Sequence, residues 1–442
     1  MSKPILFYDV YTVGGMNVDV LVQDTKIVSI TPHSSQSLSS TSEQSVIDGQ
    51  RGLLSPPFVD AHFHLDATLS LGRPRFNNSG TLFEGIEIWA EQKPLLSLED
   101  VYVRAKQLLK WAIARGTLAM RTHVDTGDPQ LLATRALLTL REEVKDYFDL
   151  QIVAFPQDGY LRHPQGVQLL EEALDLGVDI VGGIPHFERT MTAGRDSIEQ
   201  LCRLAAGRGL RVDMHCDETD DPQSRHIETL AEQTERFGLH GRVTASHVTA
   251  LHSAPNDFAA KLIPLLAEVD LNIVANPLIN ITLQGRRDSY PRRRGMTRVD
   301  ELMDGGVNVA FGHDCVMDPW YALGSADMLE VAQMGLHVGQ LTSISGMRAC
   351  FDAITQNPAK AMGLRTEYKE HGFEVGDRAD LVLLSASDPI EAIRLRATRR
   401  VVMSRGQVIA ETPTTPSLVS LPNQEPDKVR FTLGGVREQI KT

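Results

Sequence analysis

Histidines and carboxylates recur along this 442-residue chain in a pattern that could hold a metal ion. His62 and His64 flank Phe63, shortly after the apolar pair Phe58-Val59. Alternate residues of an extended strand share a face, so both imidazoles point one way and Phe63 the other. His215 follows the run Leu210-Arg211-Val212, and Asp314 follows Val307-Asn308-Val309-Ala310-Phe311. Three imidazoles and one carboxylate are nitrogen and oxygen donors of the kind that suit iron or zinc. Glu218, three residues after His215, could shuttle protons beside an activated water. His123, Gln157, His186, His247 and Asn276 stand in the same way after other apolar runs.

Several other chemistries are excluded. No Lys occurs between Lys145 and Lys261, so a carboxylated lysine on the fourth run cannot bridge two metals, and one ion is expected. His186-Phe187-Glu188 matches half of the zinc nucleotide-deaminase signature, but the Pro-Cys-x-x-Cys half is missing. There is no His-Glu-x-x-His and no phosphate-binding Walker loop.

Something must hold these residues at one end of a scaffold. The apolar runs number eight: Phe58-Val59, Leu118–Met120, Ile152–Phe155, Ile180–Ile184, Leu210–Val212, Val243–Ala245, Ile273–Ala275 and Val307–Phe311. After the first, the spacing is that of one strand-plus-helix unit. Stretches between them, such as Leu131–Leu138 and Leu169–Leu174, carry helical periodicity. Eight alternating units predict a (β/α)8 TIM barrel, whose active sites gather at the C-terminal strand ends. The long interval between about 66 and 117 predicts an insertion over the barrel mouth. Outside the barrel, Ile5–Tyr8, Val18–Val22, Asp380–Leu384 and Arg400–Met403 read as strands, with turns at Gly14-Gly15 and Arg405-Gly406. A small β-sandwich domain built from both termini (1–55 and 368–442) is expected around a barrel of 56–367. Residues 33–45, rich in Ser and Thr, read as a loop.

The pattern resembles the bacterial cytosine deaminases of the amidohydrolase superfamily over essentially the whole chain. The matching stretches are Pro57–Asp66, Ser79–Glu87, Ile152–Gln157, His215-Cys216-Asp217-Glu218, Thr244–His247, Gly312-His313-Asp314 and Asp318-Pro319-Trp320-Tyr321. The resemblance implies one divalent ion, Fe2+ or Zn2+, on His62, His64, His215 and Asp314. It implies that Gln157 and the backbone near Leu82 read the base edge, and that Phe155 and Trp320 wall the flat ring. Catalysis would fall to Glu218, His247 and Asp314: the last two orient water, and Glu218 protonates N3 of the ring.

One position departs from that family. Where the cytosine deaminases carry a second Asp after the metal Asp, this chain has Cys315. A carboxylate there is strongly solvated and hostile to a methyl group on C5, whereas a thiol packs as a small hydrophobe. The substitution predicts 5-methylcytosine, giving thymine, as a preferred or additional substrate. Plain cytosine or isoguanine deamination, hydrolysis of an N-alkyl triazine, and a non-catalytic barrel scaffold are the alternatives.

Composition bounds the partners. The chain carries 44 Lys and Arg against 57 Asp and Glu, a net charge of −13, which disfavours a nucleic-acid polymer but not a free nucleobase. No apolar run is long enough for a membrane span, and the N-terminus lacks a signal-peptide core. Four scattered cysteines give no disulfide framework, so a cytoplasmic location is expected. The resemblance implies a homo-oligomer.

Overall fold

The computed structural model describes residues 3–34, 44–364, 369–429 and 431. Most of the Ser/Thr-rich loop expected at 33–45, and the expected boundary at 367/368, lie outside the described residues. The chain divides into two compact units, Met1–Pro56 with Lys369–Thr442, and Pro57–Tyr368.

Four strands open the chain: β1 (Ile5–Tyr11), β2 (Asn17–Gln23), β3 (Lys26–Pro32) and β4 (Ser45–Ser55). Eight follow in the second unit: β5 (Phe58–Phe63), β6 (Thr117–Asp125), β7 (Asp149–Phe155), β8 (Ile180–Gly183), β9 (Arg211–Cys216), β10 (Val243–His247), β11 (Asn272–Ala275) and β12 (Asn308–Phe311). The chain then adds β13 (Leu381–Leu384), β14 (Arg399–Ser404) and β15 (Gln407–Glu411), and a short hairpin of β16 (Ser417–Val419) and β17 (Asp427–Val429).

The first unit joins the two ends of the sequence in one seven-stranded sheet, ordered β15-β14-β13-β4-β1-β2-β3. The join is β4 against β13, antiparallel, with Leu54 opposite Leu383. Alternate residues of the sheet, including Phe7, Val20, Ile27, Leu54, Leu383 and Met403, pack into a single core. Strands from both halves of the sheet therefore face one another, as in a small sandwich.

The second unit is the barrel. Its parallel sheet runs β5 to β12 in sequence order. Between β12 and β5 the ring closes through the candidate site itself. The His64 N–H donates to the Asp314 carbonyl at 3.0 Å, and the Asp314 N–H donates to the His62 carbonyl at 2.9 Å. Strands β5 and β6 are buried along their whole length, as expected where helices cover the outside of a parallel sheet. The helix Met191–Arg208 is representative. Thr190 caps it by accepting from the Ala193 N–H, and Ile198, Leu201, Cys202 and Ala205 form its buried stripe. It stops at Gly209, whose φ of 68° a side chain would resist. Among the described residues, no helix is long and apolar enough to cross a membrane.

The interval between β5 and β6 holds two helices, Leu82–Gln92 and Leu98–Ala114, joined by a 3-10 turn at Lys93–Leu95. The first starts at Thr81, which accepts from the Glu84 N–H. Its Leu82, Phe83 and Ile86 reach the mouth of the barrel, so the insertion covers the site as the sequence predicts.

Candidate active site

A cavity of about 190 Å³ opens at the C-terminal ends of the barrel strands. Its floor is His64, His215, His247, Asp314 and Glu218; its walls include Leu82, Phe83, Ile86, Ile184, Phe187, Ile279, Leu283 and Trp320. Gln157, His186, Thr219 and Cys315 complete the lining.

At the floor, four ligand-type atoms converge. His62 Nε2 lies 3.5 Å from Asp314 Oδ1, and His64 Nε2 lies 3.4 Å from the same oxygen. His64 Nε2 and His215 Nε2 are 3.2 Å apart. Each of these side chains is less than a tenth exposed, and His62 Nε2 has no hydrogen-bond partner. Burial pushes His64 down to about 4, with Asp314 opposing, and pushes His215 well below the usual imidazole value, with His62 adding to it. At neutral pH these rings are uncharged, so ring lone pairs face a carboxylate in a dry space. Such a set fits a divalent cation, and His62, His64 and Asp314 form one compact candidate group. Burial raises Asp314, but His62 and His247 outweigh it and hold the carboxyl below the ordinary range, as a ligand anion requires.

The residues expected to move protons stand beside this cradle. Glu218 Oε1 is 3.5 Å from His247 Nδ1, and His247 Nε2 is 3.7 Å from Asp314 Oδ2. Burial, reinforced by the Asp314 charge, lifts Glu218 well above an ordinary carboxylic acid and favours its protonated form. Asn280 Nδ2 lies 3.1 Å from His247 Nδ1 and holds the ring. Glu218 is presented by its neighbour Asp217, which has a φ of 51°. Asp217 accepts from the backbone N–H of His226 (3.1 Å) and Ile227 (2.8 Å) and from Ser224 Oγ (2.6 Å), tying the loop to the next helix.

Cys315 lines the cavity beside Asp314, its Sγ 3.6 Å from Asp314 Oδ1. Burial and the charges of Asp314 and Asp318 push the thiol well up, so it stays neutral and is a poor nucleophile. Gln157 is buried at the rim with its side-chain amide unused by other described residues. Trp320 is carried on a turn pinned by Asp318, whose Oδ1 accepts from the N–H of both Trp320 and Tyr321 at 2.9 Å.

Phe155 sits differently from the expectation. Its ring stacks on His215, with centroids 4.1 Å apart and planes 17° apart, and it does not line the cavity. The strand end places it against the imidazole, so it braces a candidate ligand. Phe187 and Ile184, from the segment after β8, are among the apolar groups at the cavity wall. Of the remaining histidines, His186 lines the cavity, and His123 lies wholly buried against His62, centroids 4.1 Å apart. His313 turns its Nδ1 to the Cys315 carbonyl at 3.0 Å, away from the cavity.

Sequence reasoning missed Ser246, whose Oγ is 2.8 Å from His62 Nδ1. Strand alternation puts Ser246 and His247 on opposite faces. Here His247 has a φ of 72°, which breaks the alternation and lets both face the site. Asp213, 2.8 Å from Ser246 Oγ, was findable: it lies two before His215 on the same strand face.

Residues 45–410 match the amidohydrolase family model. A pterin deaminase from Rhizobium rhizogenes is 32% identical over 400 residues, covering 90% of this chain and 88% of the relative. The structure of a 5-methylcytosine deaminase from Klebsiella pneumoniae, liganded with 5-fluorocytosine, superposes with a TM-score of 0.88 at 40% identity, over 93% of this chain and 98% of that one. An N-isopropylammelide isopropylaminohydrolase from Burkholderia multivorans gives a TM-score of 0.79 at 26% identity, over 93% and 99%. With a matched barrel and a metal-type cradle at its strand ends, the chain belongs to the amidohydrolase family and is a hydrolase.

Proposed function

We propose that the protein hydrolyses the exocyclic amino group of a free cytosine-type base, with 5-methylcytosine the preferred substrate and thymine and ammonia the products. The observation that carries this reading is Cys315: a buried, neutral thiol at the cavity surface beside Asp314. A carboxylate in its place would leave a charge against a C5 methyl, whereas the thiol offers it apolar contact. The likeness to a 5-methylcytosine deaminase at 40% identity supports the same substrate. The cavity volume supports a single ring: about 190 Å³ lies below the roughly 300–1,000 Å³ of sites for drug-sized ligands.

His62, His64, His215 and Asp314 would hold one divalent ion, iron or zinc, which when bound supplies Lewis-acid activation of water at neutral pH. Asp314 and His247 orient the attacking water and take up its proton. Glu218, whose protonated form burial favours, donates its proton to N3, which makes C4 electrophilic. The water oxygen adds to C4; Glu218, now ionised, takes the remaining hydroxyl proton as the C4 carbonyl forms, and the proton held by Asp314, directly or relayed through Glu218, passes to the amino nitrogen, so that the C4–N bond breaks and ammonia leaves. Gln157 pairs with the base edge, the backbone at Leu82 lies beside it, and Trp320 covers the ring face.

The test is ammonia or amine release against cytosine, 5-methylcytosine, isoguanine, pterin and an N-alkyl triazine. The expected result is the highest kcat/KM for 5-methylcytosine, with Cys315→Asp shifting the ratio toward cytosine by about fourfold or more, since one methyl group alone is worth about 0.8 kcal/mol. A strong cytosine preference that Cys315→Asp leaves unchanged sinks the 5-methyl reading. Amine release from the triazine alone moves the enzyme to the other substrate class.

A further inference from the structure

We infer that Ser246 is a positioning residue that fixes the tautomer of His62 through a buried chain running Arg121–Asp213–Ser246. The inference rests on the ligand set proposed above and is independent of the substrate.

The hydrogen bonds allow one direction only. Arg121 Nη1 donates to Asp213 Oδ2 at 2.7 Å, inside a barrel where both side chains are fully buried. The guanidinium cannot turn away, because it also donates to Gln151 Oε1 at 3.1 Å, the Ala361 carbonyl at 3.0 Å and Thr244 Oγ1 at 3.2 Å. Asp213, paired with that cation, is an acceptor. Ser246 has a single hydroxyl proton and spends it on Asp213 Oδ1 at 2.8 Å. At 2.8 Å from His62 Nδ1, the Ser246 oxygen then offers only lone pairs. As a neutral ligand, His62 must then carry its proton on Nδ1, which leaves its Nε2 bare and facing Asp314 Oδ1. The other tautomer would set two lone pairs against each other at Ser246 and place an N–H in the cradle.

The arrangement is costly for stability alone. Barrel interiors are ordinarily filled by branched apolar side chains, and a buried ion pair is often no better than an apolar replacement. Arg121 and Asp213 lie two residues before His123 and His215 on β6 and β9, one layer beneath the site. Their placement there, with Ser246 as the link, is explained by what they do to His62. Partners that orient a ligating histidine are worth about 10–100-fold in metal affinity.

The experiment measures zinc affinity by chelator competition on purified full-length protein, for wild type, Ser246→Ala, Ser246→Val and Ser246→Thr. Zinc binding should weaken about 10–100-fold in the Ala and Val variants. Thr, which keeps the hydroxyl, should restore it to near wild type. Turnover per bound zinc should change little once zinc saturates. In zinc-free protein, 15N NMR of the histidines should show His62 protonated on Nδ1 in wild type and a mixed tautomer in Ser246→Val. Ser246→Val or Ser246→Ala binding zinc as tightly as wild type overturns the inference and leaves the ligand set standing. Wild-type protein that takes up no zinc or iron overturns the ligand set and the inference together.

Discussion

Glu218 is where residue identity and environment decide the chemistry together. As a solvent-exposed loop residue it would be ionised at neutral pH. Here burial comes first and the Asp314 charge second, and both favour the protonated acid. Glu218→Gln should keep the bound metal and lose roughly 10²–10⁴ in kcat, checked by ammonia release and metal analysis on one preparation. Near-normal turnover would remove Glu218 from the mechanism. The sign of the pH dependence follows from the raised pKa. The protonated form persists to higher pH than that of an ordinary carboxylic acid and is lost as pH rises through the raised value, so kcat/KM should fall on the alkaline side. In Glu218→Gln the residual rate should lose that limb. The residue types at the floor were legible in the sequence, because His-x-His on a strand and Asp after a strand leave few alternatives. Phe155 was not: an aromatic at a strand end can cover a substrate or brace an imidazole, and only the 4.1 Å stacking on His215 decides.

At the scale of elements, the helix Leu82–Gln92 covers one side of the site. It presents Leu82, Phe83 and Ile86 to the cavity on one face. Trp89 on the same helix donates its indole N–H to Asp125 Oδ2 at 2.8 Å, at the end of β6. Trp89 and Trp320 pack with centroids 6.0 Å apart, and Gly85 lies directly against the Trp320 indole, leaving no room for a Cβ. Gly85→Ala should therefore displace Trp320. Overpacking of this kind costs about 1–3 kcal/mol, so KM should rise roughly 10–100-fold with a smaller change in kcat. Steady-state kinetics with tryptophan fluorescence checks it; unchanged KM and emission would mean that Trp320 does not cover the substrate. The sequence announced that an insertion exists, through its length, but could not say that Gly85 is the contact point. A glycine within a helix is ambiguous until its neighbour is known.

At the scale of the molecule, the prediction concerns the ion. A ligand that binds only the folded state stabilises it by about 2.7 kcal/mol when present at 100 times its dissociation constant. Chelation should abolish activity and lower the melting temperature by a few degrees, and zinc or iron should restore both. An activity that survives complete metal removal would refute the cradle as a catalytic centre. The closure of the barrel gives the reason for the coupling. The bonds joining β5 to β12 are made by the backbones of His62, His64 and Asp314, so the ring closes through residues proposed to hold the ion.

The sequence by itself determined the phase of the eight strands, the joining of both termini in a second unit, and the set of donors at the strand ends. All of these follow from local periodicity, which the chain carries residue by residue. The tertiary structure alone decided which donors meet. His62 and Asp314 are 252 positions apart, and strand alternation fixes a face but not a distance. It also decided that Ser246 and His247 both turn inward, because that needs a left-handed backbone at His247 that no residue type there announces. Protonation was decided at the same level: whether Glu218 holds its proton depends on how much water the barrel excludes, a property of the folded ring and of no single stretch of sequence.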